Sequence, residues 1–174
     1  LMEESETHDT YVKFVEGTRI NCGLKSPYFI TDKDKGKAEL ENPYVLIVSS
    51  PIPKGNIKVN VVDLPGFGPT KQDTIEDLAI LTGATVINEE LGDDLDLIEP
   101  SVLGEAVKVI TDDENTVLQT PDLVNTNFVD RVKTVEERIK KEKNPFFKKK
   151  LRERLAMLNG KVAMIKVGAG SKIE

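Results

Sequence analysis

The segment of this chain that comes closest to a catalytic motif is Val61-Val62-Asp63-Leu64-Pro65-Gly66. GTPases use a buried strand followed by Asp-x-x-Gly to bring an aspartate near Mg²⁺ and a glycine amide near the γ-phosphate. That chemistry also needs a phosphate loop, G-x-x-x-x-G-K-[ST], which the chain lacks, because Gly23-Leu24-Lys25-Ser26 has an extra residue between glycine and lysine. We therefore interpret 61–66 as a strand and a glycine turn, and keep a small GTPase-like nucleotide hydrolase as a minor alternative.

Other reactive side chains do not form a recognisable site. Five acidic residues lie close together but lack the spacing of a calcium loop, so we expect a solvated acidic loop: Glu89, Glu90, Asp93, Asp94 and Asp96. His8 is the one histidine, which leaves no histidine pair for a metal. Without a histidine beside it, Cys22 is expected to be a small core or interface side chain rather than a nucleophile. The sequence thus predicts no catalytic residue, no metal site and no bound cofactor in this segment.

Length, charge and cysteine content limit the class of protein. The 174 residues suffice for one domain that buries its own core. One cysteine excludes an intramolecular disulfide, and the first residues lack the apolar stretch of a secretory signal, so we predict a cytoplasmic protein. No apolar run approaches the ~20 residues of a membrane span, and the net charge of -6 disfavours nucleic acid as a partner.

A basic segment near the C-terminus predicts two amphipathic helices. Residues 131–154 hold eleven Lys or Arg against four Glu, a local charge of +7. One apolar stripe is formed by Phe128, Val132, Val135 and Ile139, and a second by Phe147, Leu151, Leu155 and Leu158. Asn144-Pro145 ends the first helix and begins the second. We expect an antiparallel helical hairpin, with Lys148, Lys149 and Lys150 on a solvated outer face rather than on a site for an anionic partner.

The rest of the chain shows an α/β pattern. Short Val- and Ile-rich runs predict strands at 44–48, 57–62, 85–87, 107–110 and 117–118. A helix is predicted from Lys71 to Gly83, because Ile75, Leu78, Ala79 and Thr82 share one face and glycine commonly ends helices. The fold class predicted from these patterns is therefore α/β.

Several short motifs, taken in order and spacing, resemble one known family. They are Val15-Glu16-Gly17, Ser26-Pro27-Tyr28-Phe29-Ile30, Glu39-Leu40-Glu41-Asn42-Pro43, Pro65-Gly66-Phe67-Gly68, Asp77-Leu78-Ala79-Ile80-Leu81-Thr82-Gly83 and Val162-Ala163-Met164-Ile165-Lys166-Val167-Gly168-Ala169. Each motif is weak alone, but the ordered set reaches from about Phe14 to Ala169 and resembles the apical domain of GroEL-type (group I) chaperonins. The resemblance implies an apical domain over 17–160, preceded by the end of the intermediate domain at 1–16 and followed by the return into it at 161–174.

The resemblance also implies roles for individual residues. Leu24, Tyr28 and Phe29 match positions on the cavity-facing underside that contact non-native polypeptides. An apolar surface suits that task, because apolar burial needs no particular hydrogen-bond pattern. Gly17 and Gly160 match the two crossings between intermediate and apical domains, where glycine suits a hinge.

Further expectations concern the parent protein of the resembling family. Its partners are non-native proteins, a co-chaperonin lid in some members, and identical subunits in a ring. ATP and Mg²⁺ bind in its equatorial domain, outside this segment, so the segment itself is expected not to be an enzyme. Cys22 stands where arginine is common, and Pro69-Thr70 replace basic residues, which puts the usual ionic contacts between subunits in doubt.

The junction at 49–56 is short for a connection between two buried strands. Eight residues separate two predicted strands, whereas a parallel crossover needs a dozen or more. The family has a longer segment here, with two amphipathic helices that form most of the polypeptide groove. Either this chain lacks those helices or residues are missing from the printed sequence, and we favour the second, because a sheet face would otherwise be uncovered. If the eight residues are the complete connection in the natural protein, they favour an alternative function, that of a stand-alone, ATP-independent holdase or interaction module.

Overall fold

A computed structural model describes residues 2–4, 11–49, 60–120 and 126–167, with side chains described for 17–49, 60–120 and 126–160. The class is mixed α/β. The elements in chain order are β1 (Met2–Glu4), β2 (Tyr11–Glu16), β3 (Thr18–Ile20), β4 (Ala38–Glu41), β5 (Tyr44–Val45), β6 (Ile47–Val48), α1 (Gly68–Thr82), β7 (Val86–Ile87), β8 (Gly104–Glu105), β9 (Lys108–Thr111), β10 (Thr116–Gln119), α2 (Thr126–Lys141), α3 (Pro145–Leu158) and β11 (Lys161–Val167).

An antiparallel sheet in the order β3-β10-β9-β4 forms one wall of the core. Its register places Leu118 opposite Val109, which in turn lies opposite Leu40. The helices close the other side, with buried side chains from α1, α2 and α3, namely Ile75, Leu78, Leu81, Val135 and Leu158. Burial alternates in β9, where Val109 and Thr111 are buried, because successive side chains of a strand point to opposite faces.

A parallel pair, β6 with β7, is joined by α1 as its crossover helix. Ile47 lies opposite Val86 and Val48 opposite Ile87. The strand predicted at 57–62 is wrong where it can be checked, since residues 60–62 are irregular; residues 57–59 and the junction at 50–56 lie outside the described residues. The ladder position beside β6 is occupied by β7, while Val62 and Leu64 still pack against the core. The run predicted as one strand at 44–48 forms two short strands, β5 and β6, in different sheets. The remaining predicted strands are present with shifts of one residue.

Helix α1 ends as predicted but begins three residues earlier, at Gly68 instead of Lys71. Pro69 lies in its first turn, where the missing amide hydrogen costs nothing. Gly83 follows the last helical residue in the left-handed conformation, with φ of 73°, which glycine adopts without strain.

Helices α2 and α3 are separated at residues 142–144, as Asn144-Pro145 predicts. The Asn144 side chain accepts a hydrogen bond from the Phe146 amide at 2.9 Å and so caps α3. Val135 and Leu158 are buried, which confirms the apolar stripes at those positions. Phe147 was expected on the stripe of α3 but is exposed, because the first turn of that helix lies away from the core cluster. Within the described residues, no helix is long and apolar enough to cross a membrane.

A buried carboxylate connects the three helices. Asp77 of α1 is 0% exposed. It accepts a hydrogen bond from Arg131 Nε of α2 at 2.7 Å, one from Arg154 Nη2 of α3 at 3.0 Å, and another from Arg154 Nε. Burial by itself lowers the pKa of Arg131, but the hydrogen bonds and charges of Asp77 and Glu76 outweigh burial and raise that pKa. Arg131 therefore stays charged where it holds α2 against α1.

We predict that Asp77→Asn destabilises the fold by about 3 kcal/mol, because two largely buried guanidinium groups lose the fully buried carboxylate that they share and keep only the partly exposed Glu76 and Asp73 as partners. Urea unfolding followed by circular dichroism measures the change. Glu76→Gln is the matched control, since Glu76 pairs with Arg131 at 2.8 Å but is partly exposed, and it should cost at most about 1 kcal/mol. Equal losses in the two variants would contradict this role for Asp77.

Candidate functional site

The most exposed large apolar side chain in the described part of the chain belongs to Tyr28, at 95%. It lies in a 3₁₀ turn, Pro27–Phe29, that the local sequence builds. Ser26 caps the turn by accepting a hydrogen bond from the Tyr28 amide at 3.3 Å, and Pro27 supplies a fixed φ in the first position. Phe29 and Leu24 are partly buried. The three residues predicted to bind polypeptide therefore lie in one short segment, with Tyr28 directed into solvent.

The segment before this turn is held against the turn between β9 and β10. The Leu24 amide donates to the Asp112 carbonyl at 2.8 Å. A Cβ atom on Gly23 would lie 2.0 Å from the Asp113 carbonyl oxygen, so any larger residue would push the two segments apart. Cys22 is buried beside them, and its carbonyl accepts from the Thr116 hydroxyl at 2.8 Å. Tyr28 is thus presented from an anchored loop.

An ion pair joins this loop to the segment before α1. Lys25 Nζ lies 2.8 Å from Asp63 Oδ2, with both side chains partly exposed. Asp63 is the aspartate of the GTPase-like motif, and residues 61 and 62 before it do not form the strand that such an element requires. Phe67, at the start of α1, is also exposed. Phe67 belongs to the Pro65-Gly66-Phe67-Gly68 motif but was not predicted as a site residue, although its place between two glycines is a signal for an exposed turn.

The two glycines predicted as a hinge lie next to each other. The Gly17 amide donates to the Gly160 carbonyl at 2.6 Å. Gly160 has φ of 59°, which disfavours any residue with a Cβ atom. Beyond this contact β2 and β11 pair antiparallel, with Glu16 opposite Lys161, and β1 joins β11 as a parallel neighbour. The chain therefore leaves this three-stranded sheet at Gly17 and returns to it at Gly160, and these two residues are in contact. Their action as a hinge stays a prediction.

Cys22 has the surroundings of a core residue. Its Sγ lies 4.0 Å from the Thr116 hydroxyl, which also neighbours the Thr111 hydroxyl at 3.1 Å. Burial raises the pKa of the Cys22 thiol; the Thr116 hydrogen bond opposes this shift, and the charge of Asp63 adds to it. A thiol with a raised pKa is a poor nucleophile at neutral pH.

The acidic residues expected in a solvated loop are exposed. Glu89, Glu90 and Asp96 lie in two 3₁₀ turns, Glu89–Leu91 and Leu95–Leu97, and Asp93 and Asp94 lie between them. Asp93 accepts from the Asn88 amide and Asp94 from the Asp96 amide, so these two carboxylates serve the local backbone. Across the residues with described side chains, no three His, Cys, Asp or Glu side chains converge as metal ligands. His8 lies outside the described residues.

A scan against models of known protein families finds no match to this chain. The interpretation of its function therefore depends on the sequence motifs and on the geometry described above.

We predict that the Cys22 thiol makes stability fall at alkaline pH. Because the folded thiol has a raised pKa, the unfolded chain ionises first as the pH rises. The stabilising contribution is complete below the ordinary thiol pKa of about 8.5 and is lost as the pH rises through the pKa of the folded thiol. Urea unfolding of the wild type and of Cys22→Ala, between about pH 7 and pH 10, measures this.

The wild type should lose more stability than Cys22→Ala over that interval, by up to about 1.4 kcal/mol per pH unit. Since all other ionisable side chains are present in both proteins, the variant corrects for their contribution. If the two proteins differ in free energy of unfolding by an amount that does not change with pH, the raised pKa of the Cys22 thiol is contradicted.

Proposed function

We propose that this chain is the apical-domain portion of a GroEL-type (group I) chaperonin and that it captures non-native polypeptides through apolar surface. The observation that carries the proposal is the exposure of Tyr28 on an anchored loop, at a position where the resemblance implies polypeptide contact. At 95% exposure, the ring offers apolar area that a partner can cover. Burying it against an unfolded chain is favourable and does not require a defined sequence.

The paired glycines support the same proposal. A domain that must swing relative to a neighbouring domain needs both chain crossings to bend together. Gly17 and Gly160 share a hydrogen bond at the boundary between the terminal three-stranded sheet and the remaining chain. We assign strands β1, β2 and β11 to the connection with the intermediate domain, and residues 17–160 to the apical domain.

The proposal includes the chaperonin-like arrangement of layers and an antiparallel hairpin of α2 and α3. Contacts with one carboxylate support the hairpin. Arg131 lies near the start of α2 and Arg154 near the end of α3, yet both bind Asp77. With only residues 142–144 between the helices, an antiparallel arrangement is the simplest way to bring those two arginines together.

The parent protein, on this proposal, is a cytoplasmic homo-oligomeric ring. ATP and Mg²⁺ act in its equatorial domain, and its partners are unfolded proteins and a co-chaperonin lid. The proposal assigns no catalytic residue to the segment itself. The rival function, an ATP-independent holdase, uses the same exposed surface, and it gains support only if residues 49–56 form a genuine junction. The intact mass of the protein isolated from its source separates the two, because a holdase of this length has a mass near 19.3 kDa.

We predict that Tyr28→Ser weakens the binding of a reduced and carboxymethylated globular protein, which cannot refold, by about tenfold. Half-burial of an aromatic side chain is worth roughly 1.5 kcal/mol, which corresponds to that factor. Fluorescence anisotropy of the labelled unfolded protein, titrated with the chain, measures the dissociation constant.

Tyr44→Ser is the matched control, since Tyr44 is 73% exposed and lies in β5 rather than in the candidate surface. It should change the affinity less than about twofold. If Tyr28→Ser binds as tightly as wild type, or if both variants lose affinity equally, the proposed surface is wrong. Unfolding curves confirm that both variants stay folded.

A further inference from the structure

The turn between α2 and α3 exposes an aromatic pair among cations. Phe146 and Phe147 are 63% and 55% exposed, and their rings meet edge to face with centroids 5.5 Å apart. Lys143, Lys148 and Lys149 flank them and form no ion pair with the part of the chain that the structure describes. We call these five residues the basic aromatic turn. Exposed apolar surface surrounded by charge is typical of a binding site for another protein.

A second surface has the same construction with the opposite charge. Leu91 and Leu97 are 83% and 78% exposed in the two consecutive 3₁₀ turns. The carboxylates of Glu90, Asp96 and Glu99 lie beside them and are not paired with any cation among the described residues. We call these five residues the acidic leucine loop. Its backbone is held by the Asp94 and Asn88 side-chain caps, so the leucines are presented from defined turns.

The two surfaces do not cover each other within one chain, because the apolar side chains of both remain exposed. Contacts with α1 also separate them. Arg131 binds Asp77 and the later Arg138 lies 3.6 Å from Asp73, so α2 runs toward the N-terminal end of α1 and the basic aromatic turn lies beyond that end. The acidic leucine loop instead follows β7, which begins after the C-terminal end of α1.

We propose that the acidic leucine loop of one copy of this chain docks on the basic aromatic turn of a second copy. Leucines then cover the phenylalanines while carboxylates face the unpaired lysines. Since the two surfaces differ, the contact is head-to-tail and generates a ring or an open chain of copies. The proposed function already expects identical subunits in a ring, and this inference adds the two surfaces of one contact between copies. Its test does not depend on polypeptide binding, because neither surface includes a residue assigned to polypeptide binding or to the hinge.

The contact should be weak when it acts alone. An aromatic side chain buries at most about 150–250 Å², so two such pairs stay below the roughly 1,200 Å² of a stable interface. Long-range attraction between the unpaired charges steers the encounter and makes it sensitive to salt. We therefore expect association at high protein concentration that decreases as the ionic strength rises.

Sedimentation equilibrium of the full chain between about 10 µM and about 1 mM tests this. Charge reversal of the turn, Lys148→Glu with Lys149→Glu, should weaken self-association about tenfold, as should reversal of the loop, Glu90→Lys with Asp96→Lys. The chain carrying all four substitutions should associate again, because the charges are exchanged. Lys133→Glu with Lys140→Glu, on the exposed side of α2, is the charge-matched control and should associate like wild type.

The fourfold variant has the wild-type net charge of -6, so its restored association supports the docking together with the two double variants. Those two variants change the net charge in opposite directions, and a general effect of net charge cannot weaken association in both. A wild-type chain that stays monomeric at the highest concentration overturns the proposal. So does a control variant that loses association as strongly as the turn variant, or a fourfold variant that remains dissociated. Circular dichroism and urea unfolding show whether each variant is folded, and Phe147→Ser provides a second variant that leaves the charges unchanged.

Discussion

The buried carboxylate of Asp77 is the interaction on which the rest of the structure depends. An ionised carboxylate without water is strongly unfavourable unless it is paired and hydrogen-bonded, and here two guanidinium groups do both. Because one arginine comes from α2 and the other from α3, the pairing requires both helices to lie against α1. Those helices then cover the antiparallel sheet, and α3 ends where the Thr18 hydroxyl donates to the Met157 carbonyl at 2.8 Å. That contact fixes the neighbourhood in which Gly17 meets Gly160.

A domain built this way combines a rigid core with surfaces that are left apolar. The loop that carries Tyr28 is attached to the β9–β10 turn by the Leu24 amide and by the close approach of Gly23, so exposure of the aromatic ring does not require a mobile loop. Rigid presentation lowers the entropy lost when a partner binds. On the proposed function, the movable part is instead the pair of glycines at the sheet boundary. The proposed capture of unfolded chains needs both properties, a fixed apolar surface and a movable support.

Local signals in the sequence predicted the helices well. The break at Asn144-Pro145, the end of α1 at Gly83 and the apolar stripes around Val135 and Leu158 follow from backbone stereochemistry and periodicity, which act over a few residues. The Asp77 pairing could not be predicted in that way, since its partners are 54 and 77 residues away and an acidic residue on a helix ordinarily faces water. The predicted strand at 57–62 is wrong in its described part for a similar reason, because strand pairing depends on which distant segment occupies the edge of the sheet.

For the candidate site, the resemblance selected Leu24, Tyr28 and Phe29. Only tertiary packing decides that Tyr28 is exposed while Leu24 and Phe29 are partly buried.

Hydroxyl-radical footprinting of the wild-type chain, with and without a reduced and carboxymethylated protein, tests the central claim most directly. Tyr28 and Tyr44 are both exposed and chemically identical, so each corrects for the reactivity of the other. The account predicts that oxidation of Tyr28 falls when the unfolded protein is bound, while oxidation of Tyr44 does not change. Protection of Tyr44 with no protection of Tyr28 would show that unfolded chains bind elsewhere, and it would contradict the assignment of the Tyr28 loop as the polypeptide-binding surface.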